Sequence, residues 1–360
     1  MTLKYSEYQK NLNFYIDYSV SNSKYTATSF GSVVGDWIGS VLAPNGKIYG
    51  IPSSYTSVLE INPILRTANT FGNVGIDYTL DTINFENNWY GGVLAPNGKI
   101  YGIPSSATTI LEIDPMAGIA TTFGSVPSGS DKWAGGVLGY DGMIYGIPYN
   151  STTVLQINPI TRTATTFGSI TSGKKWWNGV IAPNGIVYGS PWLGNTILKI
   201  ISDPVSPSVS EINIGTVYAS SGGVLGPDGN IYYMPGQSGP YIFDPRTETL
   251  LGTVNQVGGG VIRAGFGGIL ASNNKIYSYG ASSSQLLEID VMAQTSTLVN
   301  LTGTGSWTSN TAVLAPNGKI YIVNNTTRGV NPPISTCSEI DVGCASAPAD
   351  WVLSAYQNKF

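Results

Sequence analysis

Seven copies of one pattern run along this chain, and that repetition restricts its fold more than any other feature. Residues 89–115, WYGGVLAPNGKIYGIPSSATTILEIDP, nearly repeat residues 37–63, WIGSVLAPNGKIYGIPSSYTSVLEINP. With the Asn or Asp of the central turn as a ruler, the copies fall at Asn45, Asn97, Asp141, Asn184, Asp228, Asn273 and Asn317, spaced 52, 44, 43, 44, 45 and 44 residues apart. A period of that length marks a supersecondary unit that buries its faces only against its neighbours. Within each unit GGVLAP reads as strand A, Asx-Gly as a tight hairpin turn, KIYGIP as strand B, ILEIDP as strand C and ATTFGSV as strand D. No long segment carries a 3.6-residue period, so helix is not expected.

The ends of the array indicate how it closes. The seventh unit supplies strands A, B and C but no recognisable D, whereas YTATSFGSVV at 25–34 resembles a D strand standing before the first A. Joining the two removes the exposed sheet edges. The sequence therefore predicts an all-β fold: a seven-bladed β-propeller of four-stranded antiparallel blades spanning 25–342, its last blade completed by the N-terminal strand. Residues 1–24 form an N-terminal extension and 343–360 a C-terminal tail.

Aligning the units separates framework from candidate function. Tyr49, Tyr101, Tyr145, Tyr188, Tyr232, Tyr277 and Tyr321 share one position, as expected of a packing layer between blades. Lys47, Lys99, Lys275 and Lys319 occur in the same four units that carry Glu60, Glu112, Glu288 and Glu339, which predicts cross-strand ion pairs worth about 0.2–1 kcal/mol each. Those carboxylates are then poor catalytic candidates. Trp37, Trp89, Trp133 and Trp176 begin strand A in the first four units, while Ser220, Gly265 and Ser309 replace them in the other three. Asp36, Asn88, Asp131 and Lys132 accompany these tryptophans, and Trp177, Tyr55, Tyr149 and Trp192 lie on the same face. Indole faces beside Asx side chains suit neutral sugars, because C–H faces stack on the rings while hydroxyls need paired donors and acceptors. The alternative is that the tryptophans plug the gaps between blades. Candidate ligand-binding residues are thus Trp37, Trp89, Trp133, Trp176, Asp36, Asn88, Asp131 and Trp192.

Units of the form NG-x-IY-x-IP followed by a strand ending in I-D/N-P resemble the repeats of the propeller group that includes YVTN-type surface proteins and virginiamycin-B-lyase-like propellers. The resemblance covers 25–342 and implies the seven-bladed architecture. Lyase-like members of the group depend on histidine and a bound divalent cation; this chain has no histidine, so no catalytic residue carries over. The PNGKIYGIP repeats also resemble those of viral and microbial proteins, which implies a virion component.

The missing histidine also excludes Ser-His-Asp and Cys-His catalysis and histidine-ligated metals. Asp77, Asp81 and Glu86, on the longer insertion GIDYTLDTINFENN at 75–88, lack the regular alternation of a calcium loop and read as solvated acids. Cys337 and Cys344 are too few for a zinc site; they form a disulfide if the compartment is oxidising and are ordinary thiols otherwise. No catalytic residue, metal or cofactor is expected. A net charge of -4, with 11% charged residues, gives no footprint for a nucleic-acid backbone. The start, MTLKYSEYQKNLNFYIDY, lacks the apolar stretch of a signal peptide, and no apolar run is long enough to span a bilayer, so a soluble chain in a virion or on a cell surface is the expectation.

Three functions follow in order of support. The first is a non-enzymatic structural or attachment protein, a rigid platform for other protein subunits or for a cell-surface receptor or glycan. The second is a carbohydrate-binding propeller using the tryptophan face. The third and weakest is a carboxylate-dependent hydrolase or lyase.

Overall fold

The structure is a computed structural model that describes residues 25–75, 88–171, 173, 175–192, 194–215, 220–235, 239–257, 267–279, 285–303, 312–325 and 334–344. The insertion, apart from Gly75 and Asn88, and both terminal extensions, apart from Gly343 and Cys344, lie outside them.

Every described element is a strand, and the strands form seven separate sheets. Blade 1 is typical: strand A (Trp37–Leu42) pairs with B (Ile48–Pro52), B with C (Val58–Asn62) and C with D (Thr67–Phe71), all antiparallel. Strands A and B are buried along their whole length, while D alternates between exposed and half-exposed positions. Strand A therefore lies innermost and D on the outer rim, where Thr-rich sequences such as TATTF at 163–167 provide a neutral polar surface. The A-to-B turns keep the left-handed position that glycine fills most easily: Gly46 has φ 76°, and in the sixth unit Asn274 takes it at φ 60°.

Closure follows the expected route. Thr26–Val34 pairs antiparallel with Ile334–Asp341, from Thr26 opposite Asp341 to Val34 opposite Ile334, with a bulge at Gly31. The N-terminal strand is thus strand D of blade 7. Two short segments add parallel fifth strands at the rim: Thr302–Gly303 beside Thr26–Ala27 in blade 7, and Asn255–Val257 beside Thr295–Thr297 in blade 6.

Seven buried apolar clusters lie one between each pair of neighbouring blades. In the cluster between blades 1 and 2, Tyr49 and Ile51 of one meet Trp89 and Ile113 of the other. The tyrosine layer closes one end of these interfaces. Asn45 donates its amide to the Tyr49 hydroxyl (2.8 Å), which reaches the Pro115 carbonyl of the next blade (3.3 Å) and Glu60 (3.0 Å), and Lys47 bonds Glu60 at 2.8 Å. The same reach recurs from Tyr101 to Pro159, Tyr188 to Pro245 and, across the closure, Tyr321 to Pro63, each at 3.2 Å. All four expected Lys–Glu pairs form, at 2.5–2.9 Å. Between blades 6 and 7, Tyr25 leads into the closing strand and donates its hydroxyl to Glu288 at 2.5 Å.

Cys337 and Cys344 are not joined by a disulfide. Cys337 is buried in the cluster between blades 7 and 1, whereas Cys344 packs against the one between blades 6 and 7. A disulfide would have to cross the blade that separates them, which its short bond geometry does not allow without backbone movement.

Candidate functional site

The D-to-A and B-to-C connections meet on one face, opposite the tyrosine layer. A relay of backbone hydrogen bonds ties them around the ring: Ser53 N to Asp36 O, Asn88 N to Ser53 O, Ser105 N to Asn88 O, Lys132 N to Ser105 O and Tyr149 N to Lys132 O, at 2.9–3.0 Å. Lys175 N to Tyr149 O and Trp192 N to Lys175 O carry it into blade 4. Asn88, Lys132 and Lys175, the residues before Trp89, Trp133 and Trp176, are thereby clamped between two blades.

The four leading tryptophans face the inter-blade clusters. They are 0–2% exposed, and each indole N–H donates to a backbone carbonyl twenty residues on: Trp37 to Ser57, Trp89 to Thr109, Trp133 to Thr153 and Trp176 to Thr196, at 2.7–2.9 Å. Their neighbours are similarly engaged. Asp36 is buried and accepts the Ser54 hydroxyl at 2.8 Å. Asp131, half-buried with φ 54°, accepts Asn150 N at its carbonyl. Lys132 is buried, its ammonium held by the carbonyls of Ser105, Ala107 and Gly129 at 2.9–3.0 Å. Asn88 is fully buried, and its carboxamide has no hydrogen-bond partner among the described residues. These residues are distributed around the ring, one set per blade. Tyr55 packs edge-on to Trp37, 5.9 Å between centroids, on the rim side of the same face.

Trp192 is placed differently, and it leads to an apolar cluster that, unlike the other seven among the described residues, belongs to no single inter-blade interface. Strand A carries a bulge directly after its first residue in blades 1–5, between Trp37 and Ser40 in blade 1 and at the equivalent positions of the others. A bulge redirects the side chains that it contains. Ile38, Tyr90, Ala134 and Trp177 occupy its first position in blades 1–4, and they gather with Tyr149 and Trp192 into an eighth cluster. Trp177 is its centre: its ring lies 4.7 Å from Tyr90 and 4.9 Å from Tyr149, both edge-on, and 5.0 Å from Trp192 at an interplanar angle of 30°. Trp177 and Trp192 are partly exposed, whereas Tyr90 and Tyr149 are buried beneath them.

The second bulge position forms a collar at the innermost strands. It is Gly39, Gly91, Gly135 and Gly222 in blades 1, 2, 3 and 5 and Asn178 at φ 57° in blade 4, with Gly267 at the equivalent place in blade 6; all are at positive φ. Adjacent blades meet here backbone to backbone; a Cβ on Gly39 would lie 2.5 Å from Gly91 Cα, and one on Gly222 3.0 Å from Gly267 Cα. Beside the cluster, Lys175 pairs with Glu211 at 3.2 Å and with the Thr171 hydroxyl. Burial alone would raise the Glu211 carboxyl, but Thr171 and Lys175 hold it below its ordinary value. Among the described residues no group of three or more Cys, Asp and Glu side chains could hold a metal ion.

Sequence reasoning placed Trp192, Trp177 and Tyr149 on the face where this cluster lies and did not single out Tyr90 or Asn178. The signal is in the repeat: WIGS, WYGG, WAGG and WWNG vary at their second residue, and only the fourth replaces the first glycine.

No family model matches the chain, and no curated protein matches it in sequence. Solved structures match its fold. A streptogramin B lyase is 13% identical, with a TM-score of 0.67 over 86% of this chain and 96% of the other. A catalytically inactive virginiamycin B lyase from Staphylococcus aureus with quinupristin is 11% identical, with a TM-score of 0.61 over 89% and 98%. The extracellular domain of a hybrid two-component system from B. thetaiotaomicron is 12% identical, with a TM-score of 0.60 over 87% of this chain and 42% of that one. At such identity the likeness is one of fold, and this chain is a seven-bladed β-propeller of the shape those lyases share.

Proposed function

We propose that the protein is a non-enzymatic recognition platform, an attachment or assembly component that presents the aromatic cluster around Trp177 and Trp192 to a partner outside the molecule. The observation that carries this reading is the eighth cluster: seven apolar clusters hold blades together, while this one draws on four blades and leaves two indoles partly open. Aromatic anchors in a largely buried setting are the residues that dominate binding surfaces. A frame latched at successive interfaces keeps them preorganised, which lowers the entropy cost of association. The absence of histidine, together with the binding of Glu60, Glu112, Glu288 and Glu339 into the framework at the opposite face, supports a role without catalysis. A virion or cell surface is the setting that such a neutral, rigid ring suits.

Titration of fluorescently labelled protein onto intact cells and purified particles from its source tests this. Saturable binding that the double variant Trp177→Ala/Trp192→Ala reduces at least about tenfold supports the platform. Turnover of any substrate abolished by Asp131→Asn, or saturable binding that the double variant leaves intact, overturns it.

A further inference from the structure

We infer that the mouth of the propeller binds a neutral saccharide, with the Trp177–Trp192 pair as the stacking surface and Asn178 as the hydrogen-bonding group that reads the sugar's hydroxyls. This rests on the platform reading and specifies its ligand. Asn178 is the starting point. At the collar position five of the six described blades carry glycine, and a Cβ on Gly39, Gly91, Gly135 or Gly222 would be aimed at the next blade. Blade 4 keeps a side chain at φ 57°, in the left-handed region that asparagine tolerates better than other residues with a Cβ but that still carries strain. Its Oδ1 lies 1.8 Å from where a Cβ on Gly135 of blade 3 would sit, and its Nδ2 4.0 Å from one on Gly222 of blade 5. The carboxamide thus occupies space that glycine leaves free at the collar. It is partly exposed, makes no hydrogen bond within the described protein and directly follows Trp177 in the chain. A carboxamide offers two donors and an acceptor, which is what vicinal hydroxyls require.

The surroundings define the rest of the ligand. Ring centroids 4.7–5.0 Å apart are in direct contact, so there is no slot between rings for a quaternary ammonium, and the ligand must lie on the cluster rather than inside it. Among the described residues the nearby ammonium groups are committed: Lys132 to three carbonyls, Lys175 to Glu211 and Thr171. With both described ammonium groups of this region engaged, a neutral ligand with a flat C–H face and several hydroxyls is the chemical match, and a sugar ring has these properties.

The test uses the full chain on an array of defined neutral and acidic glycans, followed by calorimetric titration of any hit with Asn178→Gly and Trp192→Ala. Glycine fills the equivalent collar positions, so Asn178→Gly should fold with no loss of thermal stability. Binding by the parent that falls about tenfold in Asn178→Gly and at least as far in Trp192→Ala supports the inference. Binding confined to acidic glycans, or a hit unaffected by Asn178→Gly, overturns it. So does a blank array from a protein that still binds cells through Trp177 and Trp192; in that case the platform stands and its ligand is not a saccharide. A blank array together with no cell or particle binding removes both.

Discussion

Replacing Trp133 with alanine separates packing from ligand contact at the start of strand A. The indole is 1% exposed in the cluster between blades 2 and 3, and its N–H is bonded to Thr153 O at 2.8 Å. Truncating a fully buried tryptophan costs about 3–5 kcal/mol, and the Thr153 carbonyl, left buried without its donor, adds roughly 1 kcal/mol. An unfolding entropy of about 2.1 cal/mol/K per residue over 360 residues converts a total of about 5 kcal/mol into a fall in Tm of roughly 7 °C. Trp133→Phe keeps most of the volume and should lose only about 2 kcal/mol. Calorimetric scans and chemical denaturation of both variants measure this, and Trp89→Ala, buried in the same way, should match Trp133→Ala. A cost below about 1 kcal/mol for Trp133→Ala would refute the packing argument.

Further outcomes follow from the latches and thiols. Burial pushes the Tyr49, Tyr101 and Tyr188 hydroxyls up to about 12, with nearby carboxylates adding to the shift; because the folded state holds their protons more tightly, this stabilisation is full below pH 10 and lost as the pH rises through 12, visible as late tyrosinate absorbance coincident with unfolding. Burial would raise the Glu339 carboxyl, but hydrogen bonds from Lys319 and Tyr321 hold it below 4.5, so its contribution is full above pH 4.5 and lost below; Glu339→Gln should flatten the acid limb of the stability profile. Burial also pushes the Cys337 thiol up to about 12, so in native protein iodoacetamide should label Cys344 well before Cys337, with equal labelling in denaturant. Tyr101→Phe removes the hydroxyl that reaches Pro159 of the next blade and should cost about 1 kcal/mol in denaturation.

The frame was legible because each blade repeats its turn chemistry. Asx-Gly marks six of the A-to-B hairpins and Asn273-Asn274 the other, Tyr49 and its six equivalents mark every interface, and the D strand missing from the seventh unit is found at residues 26–34. The Lys–Glu pairs could be read from their joint presence in four units. The mouth was not legible in the same way. A sequence pattern cannot tell which of two adjacent tryptophans, Trp176 or Trp177, a bulge directs into the blade interface and which it directs outward. The more regular residue, repeated in four units, drew attention although it fills an internal gap. Asn178 was hidden for a related reason: its meaning depends on the contact between glycines of neighbouring blades, which exists only after the ring has closed. The cysteines, seven positions apart, lie on opposite sides of one sheet, which spacing alone does not reveal.

The account stands on a ring sealed by its own beginning. Hydrogen–deuterium exchange read by mass spectrometry tests that seal directly, by comparing peptides that cover Thr26–Val34 with those that cover its partner strand, Ile334–Asp341. Slow exchange of both, lost together on denaturation, is the predicted result; rapid exchange of Thr26–Val34 while Ile334–Asp341 stays protected would contradict it.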